Sequence, residues 1–72
     1  MMKYLTWEEV KNNDVIYDTV KKENIKVTSK FYNVYAQPMF TADSKTDTAI
    51  IRMFNENRYT IKWGDIHDDI EQ

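Results

Sequence analysis

The chain has 72 residues, a formal net charge of −2 from ten basic and twelve acidic side chains, and no cysteine. That length holds one domain, residues 1–72, close to the lower limit for a core that stands without staples. The near balance of charge argues against a strongly basic nucleic-acid binder or an acidic polymer mimic, and the missing cysteines exclude disulfides and thiolate zinc sites.

One leucine stands against seven isoleucines, five valines and ten aromatics, a mixture that favours strands. Eight lysines and six asparagines against two arginines, one glycine and one proline match the codon usage of AT-rich genomes, such as those of low-GC bacteria and their phages. No apolar run reaches membrane-spanning length, and the opening MMKYLTWEE lacks an apolar signal region. A cytoplasmic location without a membrane partner is expected.

In chain order, the first signal is LTWEEVKNN. Thr6 and Glu9 have the spacing of a capping box and Leu5 and Val10 that of a hydrophobic staple, which predicts a short helix over residues 7–12. Asp14 then caps a second expected helix, DVIYDTVKKEN, with Ile16 and Val20 on its inner face and an Asp18–Lys22 pair at helical spacing. Its β-branched residues keep a strand over residues 15–20 as the alternative. Residues 25–36 alternate as a strand, with Ile25, Val27 and Phe31 inward and Lys26, Thr28 and Lys30 outward, and a bulge or twist is expected near Asn33. Pro38 marks an edge or interruption, and residues 39–47 read as a polar loop.

Residues 48–54 and 58–63 read as a hairpin. A loop of Asn55, Glu56 and Asn57 sets Met53 opposite Tyr59, Ile51 opposite Ile61 and Ala49 opposite Trp63, and turns Arg52 outward. Asn57 tolerates the left-handed conformation that such a loop requires. Gly64 releases the chain, and Asp65 caps a last turn of helix docked by Ile66 and Ile70.

The expected fold is therefore α+β: two short N-terminal helices packed on a three-stranded antiparallel meander, closed by a short acidic C-terminal helix. Leu5, Trp7, Val10, Ile16, Val20, Ile25, Val27, Phe31, Ile51, Met53, Tyr59, Ile61 and Trp63 form its expected core.

Catalytic chemistry is sparse. The serines, Ser29 and Ser44, sit in no nucleophile motif, and one glycine cannot build a phosphate-cradling loop. His67 is the only histidine, and it lies about 200° around a helix from Asp65, so the C-terminal acids do not converge on it as metal ligands. No enzyme activity, cofactor or metal is expected.

Two binding surfaces are expected instead. One is the uncovered sheet face, where Tyr32, Val34, Ile50 and Phe54 lie among charged and polar residues that include Arg52, as in a protein interface. The other is the acidic end, Asp65, Asp68, Asp69 and Glu71. These suggest a non-enzymatic interaction protein, such as a phage or mobile-element accessory protein that inhibits a host factor, with a homodimer as a further expectation. The alternative is single-stranded nucleic-acid binding by Phe31, Tyr32 and Tyr35 with Lys26 and Lys30.

Overall fold

A computed structural model describes residues 3–62 of the chain. It consists of one five-stranded antiparallel sheet: β1 (Val15–Asp18), β2 (Glu23–Tyr32), β3 (Pro38–Asp43), β4 (Ile50–Met53) and β5 (Tyr59–Ile61), in the order β4-β3-β2-β1-β5. Strands β1 to β4 form a meander, and β5 returns to pair with β1. The described residues contain no helix, so the expected α+β arrangement of helices on a three-stranded meander is replaced by an all-β one.

The expected second helix is instead a hairpin. Val15, Ile16 and Tyr17 are β-branched or aromatic and pack best on a pleated surface. The Asp18 carboxylate accepts the Val20 and Lys21 amides at 3.0 and 3.2 Å, and Lys22 takes a left-handed φ of 60°. The Lys22 amide donates to the Asp18 carbonyl at 2.7 Å. The helical spacing of Asp18 and Lys22 is thus realised as one isolated turn that reverses the chain. Val20, expected in the core, is exposed on this turn.

Half of the capping box forms, without its helix. Glu9 accepts from the Thr6 amide at 2.8 Å, and the Glu9 amide returns to the Thr6 carbonyl at 3.1 Å. Only a single turn over residues 7–9 results. So short a helix cannot offset its nucleation cost, and Val10 turns directly into the core. The Leu5 amide donates to the Tyr59 carbonyl at 2.7 Å, laying the N-terminal segment along the outer edge of β5.

Residues 39–47 depart furthest from the expected polar loop. Pro38–Asp43 is the strand β3, not part of a loop. Pro38 occupies its first position, where the missing N–H costs the ladder nothing, and its carbonyl accepts the Phe54 amide at 2.9 Å. With β3 beside β2, β4 finds a partner on the far side of β3, and the expected hairpin between β4 and β5 does not form. Asn57 does adopt the left-handed conformation, at φ 65°, but within a connection that links opposite edges of the sheet.

The sheet is curled. In a flat sheet β1 and β4 would stand about 14 Å apart, three strand spacings. Yet Arg52 of β4 donates directly to Asp18 of β1, and Phe54 stacks on Tyr59 of β5 with ring centroids 5.4 Å apart. The inner face buries Val10, Ile16, Ile25, Val27, Phe40, Ala42, Phe54 and Tyr59. Of these, Phe40, Ala42 and Phe54 were not among the expected core residues, whereas Phe31, Ile51, Met53 and Ile61 were and lie exposed.

Candidate interaction surface

A bulge decides which side chains reach solvent. The β2–β3 register shifts between Val27 and Ser29, so that Val27 pairs with Ala42 and Ser29 with Thr41. Thr28 and Ser29 both hydrogen-bond the Thr41 hydroxyl, at 2.6 and 2.8 Å. The extra residue inverts the faces beyond it. Strict alternation from Ile25 would bury Phe31 and expose Lys30, but the structure does the reverse. The bulge thus falls well before Asn33, the expected position.

Lys30 enters the open end of the curled sheet. Its ammonium donates to the carbonyls of Trp7 and Val10, each at 2.6 Å, and lies 4.2 Å from the Trp7 ring centroid. Trp7 caps this end, with its ring 5.4 Å from Phe54 and its indole N–H donating to the Tyr32 hydroxyl at 2.8 Å. The lysine offered by sequence as a phosphate contact is therefore committed to the fold. Lys26 lies on the outer face, directly across from Asp43.

Phe31, turned outward, pairs with Met39, and Met39 pairs with Met53. One row of the outer face is therefore apolar across three strands. The next row is Ser29, Thr41 and Ile51, and Ile51 is 64% exposed. Beyond the first row the β2–β3 connection projects as a tip carrying Val34, 93% exposed, and Tyr35, 80% exposed. Side chains this apolar at full exposure gain nothing from folding.

The tip is nevertheless well organised. The Asn33 side-chain oxygen accepts the amides of Tyr35 and Gln37 at 2.9 and 3.0 Å, and its amide group donates to the Gln37 side chain at 2.8 Å. Its backbone amide donates to the Gln37 carbonyl at 3.0 Å, and Ala36 takes a left-handed φ of 60°. An asparagine that bonds the backbone two residues on is a turn-forming device, and here it fixes where Val34 and Tyr35 point.

The other concentration of polar chemistry is internal. Asp18 is fully buried and accepts both Arg58 Nε and Arg58 Nη2 at 2.8 Å, in addition to Arg52 and the two turn amides. Glu23 lies 3.7 Å from Arg52. Burial pushes the Asp18 pKa up, but the Arg58 hydrogen bonds and charge and the Lys21 and Val20 amides outweigh it, and the net shift is downward. Nearby, the Tyr59 hydroxyl is buried with no hydrogen-bond partner among the described residues. Its pKa is raised chiefly by burial, against the opposing influence of Arg58 and Arg52. The carboxylate is saturated by donors and sealed from solvent, so it suits structural pairing and has no path to a substrate.

The expected binding face is dispersed. Tyr32 and Val34 are exposed, but Ile50 and Arg52 face inward and Phe54 is buried at 5% exposure. Arg52, expected outward, has a side chain only 16% exposed and engaged by Asp18. Asp65, Asp68, Asp69 and Glu71, together with Trp63, Gly64 and His67, lie outside the described residues. Among the described residues no group of three or more histidine or acidic side chains could hold a metal ion, and no helix is long and apolar enough to cross a membrane.

The outer row was hidden in the sequence by the bulge. Its signal was the adjacent Thr28-Ser29 pair, two polar residues where alternation allows one. No protein-family model matches this chain, and neither a curated protein nor a solved structure matches it.

Proposed function

We propose that the chain is a small protein-binding module that recognises its partner through the β2–β3 tip and the adjoining outer row of Phe31, Met39 and Met53. The observation that carries this reading is the pairing of near-complete exposure at Val34 and Tyr35 with a turn pinned by Asn33. A preorganised turn limits the ordering cost of binding. Exposed aromatic and apolar anchors are the side chains that supply most interface energy. The partner chemistry that fits is an apolar pocket or groove with acceptors for the Tyr35 hydroxyl. No catalytic step is assigned, and nucleic-acid binding is disfavoured because the Lys30 ammonium is held by two carbonyls and an indole ring.

The test is panning a random-peptide display library on the wild-type protein, with counter-screening against Val34→Ser/Tyr35→Ser. Peptides with apolar motifs should bind the wild type and lose more than about 2 kcal/mol on the double variant, as hot spots do. Equal binding to both proteins, or salt-dependent binding to an oligonucleotide in place of any peptide, would reject the proposal.

A further inference from the structure

The two edges of the sheet are finished differently. The outer edge of β5 is occupied, since the Tyr59 carbonyl accepts the Leu5 amide. Among the described residues the outer edge of β4 is not. In the β3–β4 ladder Phe54 donates to Pro38, so the alternate residues Arg52 and Ile50 also direct their backbone groups at β3. The N–H and C=O groups of Ile51 and Met53 therefore point away from the sheet. Among the described residues their only partner is the Asn55 side chain, a long 3.4 Å contact to the Met53 carbonyl.

Edge strands are ordinarily blunted by proline, lysine, a bulge or a covering segment. β4 reads Ile50-Ile51-Arg52-Met53 and has none of these among the described residues. Its outward side chains are apolar, and its one charged side chain turns inward.

We propose that this edge pairs with the β4 edge of a second copy of the chain, in antiparallel register about a twofold axis at Arg52. The strand is self-complementary in that register. Ile51 stands opposite Met53 of the second copy, and the converse pair is generated by symmetry. Both are hydrogen-bonded pairs of the antiparallel ladder, so all four outward N–H groups find carbonyls, and each Met53 carbonyl exchanges its long side-chain contact for a ladder bond. Both outward contacts are apolar on apolar, a favourable cross-strand combination. The residues facing each other on the axis are the two Arg52 side chains. Each guanidinium is drawn into its own sheet by Asp18, with Glu23 3.7 Å away, so its charge is balanced before the copies meet. Further from the axis Ile50 faces Phe54 and Ala49 faces Asn55, so the Arg52 pair, each member neutralised within its own sheet, is the one like-charge pair in this stretch of the seam. The result is a continuous ten-stranded sheet whose apolar row runs from each Phe31 to the twofold axis, with one tip at each end. This inference does not rest on partner binding by the tip.

The experiment is sedimentation equilibrium at about 0.5 mM, high enough to populate a small interface. It is run on the wild type, Ile51→Pro, Ile51→Lys and Val34→Ser/Tyr35→Ser, with circular dichroism of each. The wild type and the tip variant should show twice the 8.7 kDa chain mass. Ile51→Pro removes an outward donor that the β3 ladder does not use, and should be a monomer with the wild-type spectrum. Ile51→Lys, at an exposed side chain, should also be a monomer and carries the test if the proline variant unfolds. A mixture of Ile51→Cys and Met53→Cys chains should form a disulfide under mild oxidation faster than either variant alone, because only the mixed pair sits directly opposite. A monomeric wild type would overturn the proposal. So would a dimer insensitive to Ile51→Lys, a dimer lost in the tip variant, or equal crosslinking of all three cysteine samples.

Discussion

The Asp18 cluster and the Asn33 tip are built from the same device and put to opposite ends. In each, a carboxylate or amide side chain accepts the amides of its own turn and fixes a chain reversal. At Asp18 the turn also gathers two arginines and places charge inside the sheet. At Asn33 the turn gathers nothing and places Val34 and Tyr35 in water. The first departure from the rule of apolar inside and polar outside is explained by the fold, because Asp18 ties β1 to β4 and to the chain just before β5. The second has no structural purpose among the described residues, and that is the reason for assigning recognition to it.

The internal cluster should show the larger losses. Asp18→Ala leaves Arg52 and Arg58 without their common partner, and should cost about 3–5 kcal/mol in urea unfolding. A loss below about 1 kcal/mol, the value of an exposed pair, would place the cluster on the surface in solution. Trp7→Ala removes the cap over Phe54, the seat of the Lys30 ammonium and the donor to Tyr32. Its ring is only partly buried, so a loss of about 2–3 kcal/mol is expected, below the full cost of truncating a core aromatic.

Titration sharpens the same contrast. The folded Asp18 pKa is depressed, so its contribution is complete above the ordinary aspartate pKa of about 3.9 and is lost as pH falls through the lower folded value. Stability should fall on acidification below pH about 4, and this slope should be smaller in an Asp18→Asn variant. Tyr59 has a raised folded pKa, so its contribution is complete below the ordinary tyrosine pKa of about 10 and is lost as pH rises through the folded value. Tyr59→Phe should therefore flatten the alkaline limb.

At the tip the expected effects on stability are small. Asn33→Ala should cost about 1 kcal/mol, the scale of a net hydrogen bond, and should broaden the Val34 and Tyr35 amide resonances. Val34→Ser/Tyr35→Ser should change unfolding by no more than about 0.5 kcal/mol, as for ordinary surface positions. A larger loss would mean that the tip packs on something and is not free for a partner.

The sequence disclosed local chemistry better than pairing. The Glu9 half of the Thr6–Glu9 box, the left-handed Asn57 and the inward Ile16, Ile25 and Val27 are each set by neighbours in the chain, and each is present. Strand partners are not local. Pro38 and the polar run over residues 43–47 hid β3, and without β3 residues 48–54 were paired with the segment that follows. That mispairing also inverted the faces of β4, exposing Ile51 and turning Arg52 inward. The bulge at Thr28-Ser29 inverted the end of β2 in the same way, and moved Phe31 from expected core to surface. Each error was one residue of phase, which in a strand exchanges inside for outside. The expected interface lost Phe54 to the core and Arg52 to its pairing with Asp18 for this reason. Val34 and Tyr32 stayed on the surface because they lie at or beyond the end of the pairing.

β4 curls over the sheet until Arg52 meets Asp18, and a double-mutant cycle measures that contact directly. Unfolding free energies of the wild type, Asp18→Asn, Arg52→Met and the double variant should give a coupling of at least about 1 kcal/mol, within the range for residues sharing one buried network. A coupling indistinguishable from zero would mean that Arg52 points to solvent and would contradict the curled five-stranded sheet.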